Sequence, residues 1–572
     1  MTPSFPSEEH TQLHNLLDKA WDFEMEESPF AATVAGDSRF NDRLPSVGPE
    51  HEARRARYRD QTLARLGEID RAHLDTQDRT SYDMFRLRLE DALTAFRFDE
   101  YLMPLTNRGG FHVSFADLPR KAPLQTARDY ENYIARLDAF PLYVEQHIAL
   151  LRQGVERGMV LPGVVLDGYE LSIEAHVVDD VFQSIFHGPF EGFPPGVPET
   201  ERPGLAERGR ISIMENTVPA YRTFLRFIVD EYLPGCRSTV GASELPDGKR
   251  YYEYLVRHFT TLQLSPEEVH QIGLDEVKRL RAEMEEVIER VAFDGDFSAF
   301  LTFLRTDPRF YATDPDELLK EAAYIQKRMD GLLPRLFGRL PRLPYGIKPI
   351  PDYIAPKMTG AYYERGAGDG SKAGYYNVNT YALESRPLYV LEALSLHEAV
   401  PGHHLQLALQ QELDGLPNFR RFEGVTAFVE GWGLYSERLG LEVGFFADPY
   451  NDFGRLTYEI WRACRLVVDT GIHAFGWTRQ EAIDYMAGRT ALSIHECTTE
   501  VDRYIACPGQ ALAYKMGELT ITRLRREAES ALGEWFDVRA FHDVVLGSGS
   551  VPLTILESQV RTYIDGAQAE ES

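Results

Sequence analysis

Short signals that start helices recur along this chain, and they constrain its fold more than any other feature. In LSPEEVHQIGLDEVKRLRAEMEEVIERV, Ser265 is placed as a cap, Pro266 takes the first helical position and Glu268 closes a capping box. Apolar Val269, Ile272, Val277 and Leu280 then recur at roughly helical spacing. TDPDELLKEAAYIQKRMDGLLPRLF repeats the device, with Thr313 or Asp314 ahead of Pro315. RDYENYIARLDAFPLYVEQHIALLRQGVERG has the same character and ends on Gly158. Strand-like runs are scarce, the best being 342–354 and GYYNVNTY at 374–381. The pattern predicts a mainly α fold with a small β element.

Length and charge bound the function. With 572 residues the chain can bury a large core. Its net charge of −28 argues against a nucleic-acid partner, because phosphate binding needs a basic footprint. The four cysteines form no C-x-x-C pair and suggest no disulfide framework. No basic segment followed by an apolar run opens the sequence, and no stretch is long and apolar enough for a membrane span. The expectation is a cytoplasmic protein with no membrane partner; nothing specifies an oligomer. Pro/Gly-rich joints at 187–204 and 233–249 suggest an N-terminal helical part, 1–240, and a second helical part, 241–572, or one continuous domain over 1–572. The polar loop ERGAGDGSKAG (364–374) reads as flexible, and the tail DGAQAEES as frayed.

The chemistry concentrates in LSLHEAVPGHHLQLAL, residues 394–409. Ser385 and Pro387 mark the start of an apolar helix that delivers His397 and Glu398 deep into the protein. Zinc hydrolases commonly carry H-E-x-x-H, whose i and i+4 histidines share one helix face. Here position 401 is proline, and the next histidines are His403 and His404. On a straight helix His403 points about 120° away from His397, while His404 returns to its face about 10 Å further along. Neither can share a metal with His397 at bonds of about 2.1 Å. Pro401-Gly402 can break the helix and restore the spacing, giving an H-E-x-x-H with two residues inserted. His403 is then the second ligand, with His404 as the alternative.

TAFVEGWGLYSERLG offers a third ligand, Glu430, flanked by Gly431 and Gly433, which permit close helix approach. His397, His403 and Glu430 would hold Zn2+ with one position left open, the pattern of a catalytic site. Glu398 would be the general base. Glu437, seven residues after Glu430 on the same face, reads as a salt bridge or a support for a ligand. His495-Glu496 lacks a histidine four residues on and is discounted.

HEAVPGHHLQ, VEGWGLYSERLG, DTGIH, RYIACPGQALAYKMG and the upstream YYEYLVRHFTTLQLSPEEVHQIGLDEV resemble the bacterial domain-of-unknown-function family 885. That family in turn resembles zinc peptidases of the gluzincin type, such as thimet oligopeptidase, angiotensin-converting enzyme and thermostable carboxypeptidases. The resemblance implies a large helical fold with a deep central channel, and metallopeptidase activity of exopeptidase or oligopeptidase type. His473 and Tyr514 are candidates for steadying an oxyanion. Arg503 or Lys515 could hold a substrate carboxylate. GYYNVNTY could be an edge strand that pairs with peptide, making Tyr376 and Asn379 substrate-binding candidates. The expected substrate is a short peptide or small amide. The rival readings are a metal-dependent amidase or lyase acting on a small metabolite, and a catalytically silent peptide-binding protein.

Overall fold

The computed structural model describes residues 7–571 apart from 353–354, 367–369 and 371. Helices dominate, and the described strands form one three-stranded sheet, so the fold is mainly α. No helix among the described residues is long and apolar enough to cross a membrane. All four cysteines are free thiols.

The helix starts written in the sequence are realised as hydrogen bonds. Ser265 Oγ accepts from the Glu268 amide, and Glu268 Oε2 accepts from the Ser265 amide at 2.8 Å. The choice between Thr313 and Asp314 falls to Asp314, whose carboxylate accepts from the Glu317 amide. Gly158 closes the Ala127–Arg157 helix in the left-handed region, at φ 71°. Ser385 departs from expectation. Its hydroxyl donates to Ala382 O within a short 3-10 turn, and Pro387 is extended, so the helix begins only at Leu391. The tail also differs, since a helix runs over Leu553–Glu571. Four residues of the 364–374 loop lie outside the described residues.

Contacts divide the chain into two compact units, Met1–Val240 with Glu244–Gly248, and Gly241–Ser243 with Lys249–Ser572. The first contains α1 (Glu8–Glu27) and α2 (Thr76–Arg97). The second contains α3 (Pro266–Arg290), α4 (Leu391–Glu398), α5 (His403–Gln411), α6 (Thr426–Val443), α7 (Pro449–Phe475), α8 (Ile494–Ala506) and α9 (Leu512–Leu532). Helices α3 and α7 pack along each other, as do α6 and α9. At the second crossing Gly431 faces Gly517, where an added Cβ on Gly517 would lie 1.9 Å from Ala427 O.

The sheet of the second unit has the order β1-β3-β2, with β1 Tyr345–Pro349, β2 Ala361–Glu364 and β3 Gly374–Val378. Strand β3 pairs parallel with β1 and antiparallel with β2. GYYNVNTY is therefore the central strand, its backbone already committed on both sides, and not the edge its sequence suggested. Strand β2 packs against α4.

Candidate metal centre

Helix α4 is apolar and almost wholly buried, so it carries His397 into the interior; only Leu394 and Glu398 along it keep some exposure. It stops at Glu398, and α5 starts at His403. Between them Ala399 and Gly402 leave helical geometry, and the Val400–Pro401 peptide is cis. A break of this kind exposes backbone groups that need new partners in a dry interior. Gln326 supplies two of them. Its Oε1 accepts from the Val400 amide at 3.2 Å, and its Nε2 donates to Ser395 O at 2.6 Å. Trp432 Nε1 donates to Pro401 O at 2.9 Å. Gly402 has no substitute here, because a Cβ would stand 1.9 Å from His397 O.

The break brings His397, His403 and Glu430 together. Both Nε2 atoms lie 3.6 Å from Glu430 Oε2, and the two rings stand nearly perpendicular at 84°. A tetrahedral metal with bonds of about 2.1 Å separates its ligand atoms by about 3.4 Å, so the spacing fits a shared ion. His404 turns the other way, with Nδ1 at 2.8 Å from Tyr363 Oη and its ring beside Tyr345. Burial pulls His404 down to about 4, which keeps it neutral. Of the two adjacent histidines, His403 joins the cluster. Gly433 makes room for His397: a Cβ there would lie 2.7 Å from its ring.

Glu437 orients the first histidine. Its Oε1 accepts from His397 Nδ1 at 2.8 Å, which turns Nε2 toward Glu430. Arg462 lies 3.6 Å from the same carboxylate oxygen. Burial alone would lower His397, but the Glu430 and Glu437 carboxylates outweigh it and raise it to about 9. Burial would likewise lift Glu430, yet His397 and His403 hold it well below the carboxylate range. The His403 Nδ1 is buried without a hydrogen-bond partner. Glu398, adjacent to His397, lies at the accessible end of α4, and among the described residues no hydrogen bond or ion pair engages its carboxylate.

The other sequence candidates separate sharply. Tyr514 stays near the cluster, its phenol raised by burial and by the charge of Glu430, with Arg465 4.3 Å above its ring. Arg503 is paired with Glu500 and Gln510. His473 does not face the site: Nδ1 accepts from the Ala242 amide and Nε2 donates to Tyr504 O, so backbone occupies both nitrogens. Lys515 is 0% exposed among Glu276, Glu459 and Glu518, a fully compensated internal cation with nothing left for a substrate. Tyr376 is wholly buried against Ser395. Asn379 donates to the Ala355, Met358 and Thr359 carbonyls and accepts from the Tyr381 amide. Sequence reasoning did not single out Arg462 or Arg465, although both interrupt an apolar helical run, WRACRLVVDT, where a charge needs a reason.

The family described as "Bacterial protein of unknown function (DUF885)" matches residues 29–560, so the chain belongs to that family. No curated protein matches it. A crystal structure from Colwellia psychrerythraea, described as a presumed lipoprotein, is 28% identical with a TM-score of 0.92, covering 98% of this chain and 100% of that one. A second, from Shewanella oneidensis, is described as a presumed lipoprotein of unknown function; it is 18% identical with a TM-score of 0.74, covering 97% and 99%.

Proposed function

We propose that this member of the DUF885 family is a zinc-dependent hydrolase that cleaves amide bonds of short peptides, a gluzincin-like metallopeptidase. The observation that carries the reading is the His397–His403–Glu430 cluster, both imidazoles 3.6 Å from one Glu430 oxygen and His397 turned by Glu437. Two imidazoles and a carboxylate suit zinc. Zinc bound there would polarise a scissile carbonyl and acidify a water.

The protein residues divide the remaining work. Glu398 takes the proton of the attacking water and passes it towards the leaving nitrogen. Glu437 fixes the His397 tautomer, and Arg462 steadies Glu437. Tyr514, beside Glu430, donates a hydrogen bond to the developing oxyanion. The test is hydrolysis of a di- to decapeptide library by protein stripped of metal and reloaded with zinc. Cleavage that requires zinc and disappears in Glu398→Gln, with zinc still bound, supports the reading. Cleavage that survives in Glu398→Gln contradicts the role given to Glu398.

A second reading gains support from the sheet. Because β3 is central, its backbone cannot pair with a peptide, which favours a small amide or metabolite in place of an extended chain. The same library with small N-acyl amino acids added separates the two. The cytoplasmic location is likewise a proposal, set against the lipoprotein descriptions of the two similar structures, and fractionation of the native cells decides it.

A further inference from the structure

A cavity of about 230 Å³ lies beside α4, lined by Leu391 and Leu394 of that helix, Asn379 after β3, Tyr458 of α7, Arg386, and Glu496 of α8. A lone ordered water needs only about 10–15 Å³, so the space admits something much larger. Helix α4 links it to the site, since Leu391 and Leu394 line the cavity and His397 and Glu398 follow on the same helix. Leu391, Leu394 and Glu398 fall at i, i+3 and i+7, one face of a helix. Leu394 and Glu398 are the two positions of α4 that keep exposure. From Leu394 to Glu398 the helix rises about 6 Å, which an extended peptide covers in about two residues. A substrate cut beside Glu398 thus reaches the cavity with the residue next to the broken bond, or the one after it.

The polar content of this wall is unusual. The Arg386 Nε is buried without a hydrogen-bond partner, and among the described residues its guanidinium forms no ion pair. A guanidinium held in a mostly apolar wall needs an anion, and its planar fork matches a carboxylate. Two acids line the cavity, Glu384 and Glu496, and neither forms an ion pair with Arg386; Glu384 is exposed, which leaves Glu496 as the buried candidate. Burial and neighbouring Glu500 lift its carboxyl to about 7, against the pull of Arg386, Arg462 and Arg465. Near neutrality it is only part of a counter-charge. Arg503 and Lys515, the cations the sequence suggested for this task, are already neutralised by glutamates.

We infer that this cavity is the subsite for the carboxylate-bearing end of the substrate, with Arg386 as the residue that reads the carboxylate. The inference rests on the hydrolase reading for which bond is cut, but not for what binds. Its occupant is a peptide or acyl amino acid ending in a free carboxylate, with an apolar side chain against Leu391, Leu394 and Tyr458.

The experiment uses an N-acetylated apolar tripeptide as the free acid and as its C-terminal amide. Both are measured as calorimetric binding to the metal-free protein and as kcat/KM for the zinc-loaded protein. The free acid is expected to win by about tenfold to a hundredfold. In Arg386→Ala and Arg386→Gln the acid loses that advantage while the amide stays within about twofold, and Arg386→Lys recovers part of it. Equal binding of acid and amide by the wild-type protein overturns the proposal without recourse to any variant. So does an equal loss of both ligands in the two variants. A preference for a free amine that Glu496→Gln abolishes would reassign the cavity to an amino group and overturn it too. Selective binding of the acid with no hydrolysis would contradict the hydrolase reading alone.

Discussion

His10, His14 and Asp78 in the first unit offer the same donors as His397, His403 and Glu430 in the second, and in both clusters the ligand atoms lie within 4.8 Å of one another. Their distances tell them apart. In the first, His10 Nδ1 and His14 Nε2 close on the two Asp78 oxygens at 2.5 and 2.8 Å, direct hydrogen bonds between side chains about one-third exposed on the histidine side. In the second, both imidazoles stop at 3.6 Å from one carboxylate oxygen, in the interior. The His397 ring is held back by Glu437 and the His403 ring by the break at Pro401-Gly402. Donors free to collapse have done so in the first cluster. In the second the donors stand apart, at the spacing the proposed zinc site requires.

This contrast can be broken most forcefully by removing donors. His397→Ala or His403→Ala should abolish stoichiometric zinc binding and all zinc-dependent hydrolysis, whereas His10→Ala and His14→Ala should leave both intact, as read by elemental analysis after dialysis. Next in size is Glu398→Gln, expected to lower kcat about 10²- to 10⁴-fold with zinc content unchanged. A smaller effect sharpens the part played by the support. Glu437→Gln should weaken zinc binding about 10- to 100-fold, measured by competition with a chelator. The smallest concerns the first cluster. Asp78→Ala removes the acceptor of two partly exposed hydrogen bonds and should cost about 1–2 kcal/mol in denaturant unfolding, with no change in zinc content. If Asp78→Ala instead removed a second equivalent of zinc, the distinction between the clusters would fail.

How much of this the sequence disclosed depends on where each partner lies along the chain. Helix starts were readable because a cap and its acceptor sit three residues apart, as at Ser265 and Glu268. The break at Pro401-Gly402 followed from helical arithmetic, and Glu430 from its place beside small residues in TAFVEGWGLYSERLG. His403 was preferred with His404 as the alternative; what separates them, the pull of Tyr345 and Tyr363 on His404, comes from strand residues some 40 to 60 positions earlier. The same distance in sequence hid the glutamates around Lys515, supplied by α3 and α7 as well as by α9. His473 looked available because the amide of Ala242 and the carbonyl of Tyr504, which occupy its ring, leave no trace in a motif. The order of the sheet was hidden for a related reason: strand composition marks β3 as a strand but not as the middle one.

Anomalous diffraction at the zinc absorption edge, on crystals of zinc-loaded protein, tests the central claim most directly. The expected result is a single peak per chain, about 2.0–2.2 Å from His397 Nε2, His403 Nε2 and a Glu430 oxygen, and no peak at His10, His14 and Asp78. A peak at the first cluster alone, or one ligated by His404 in place of His403, would contradict it.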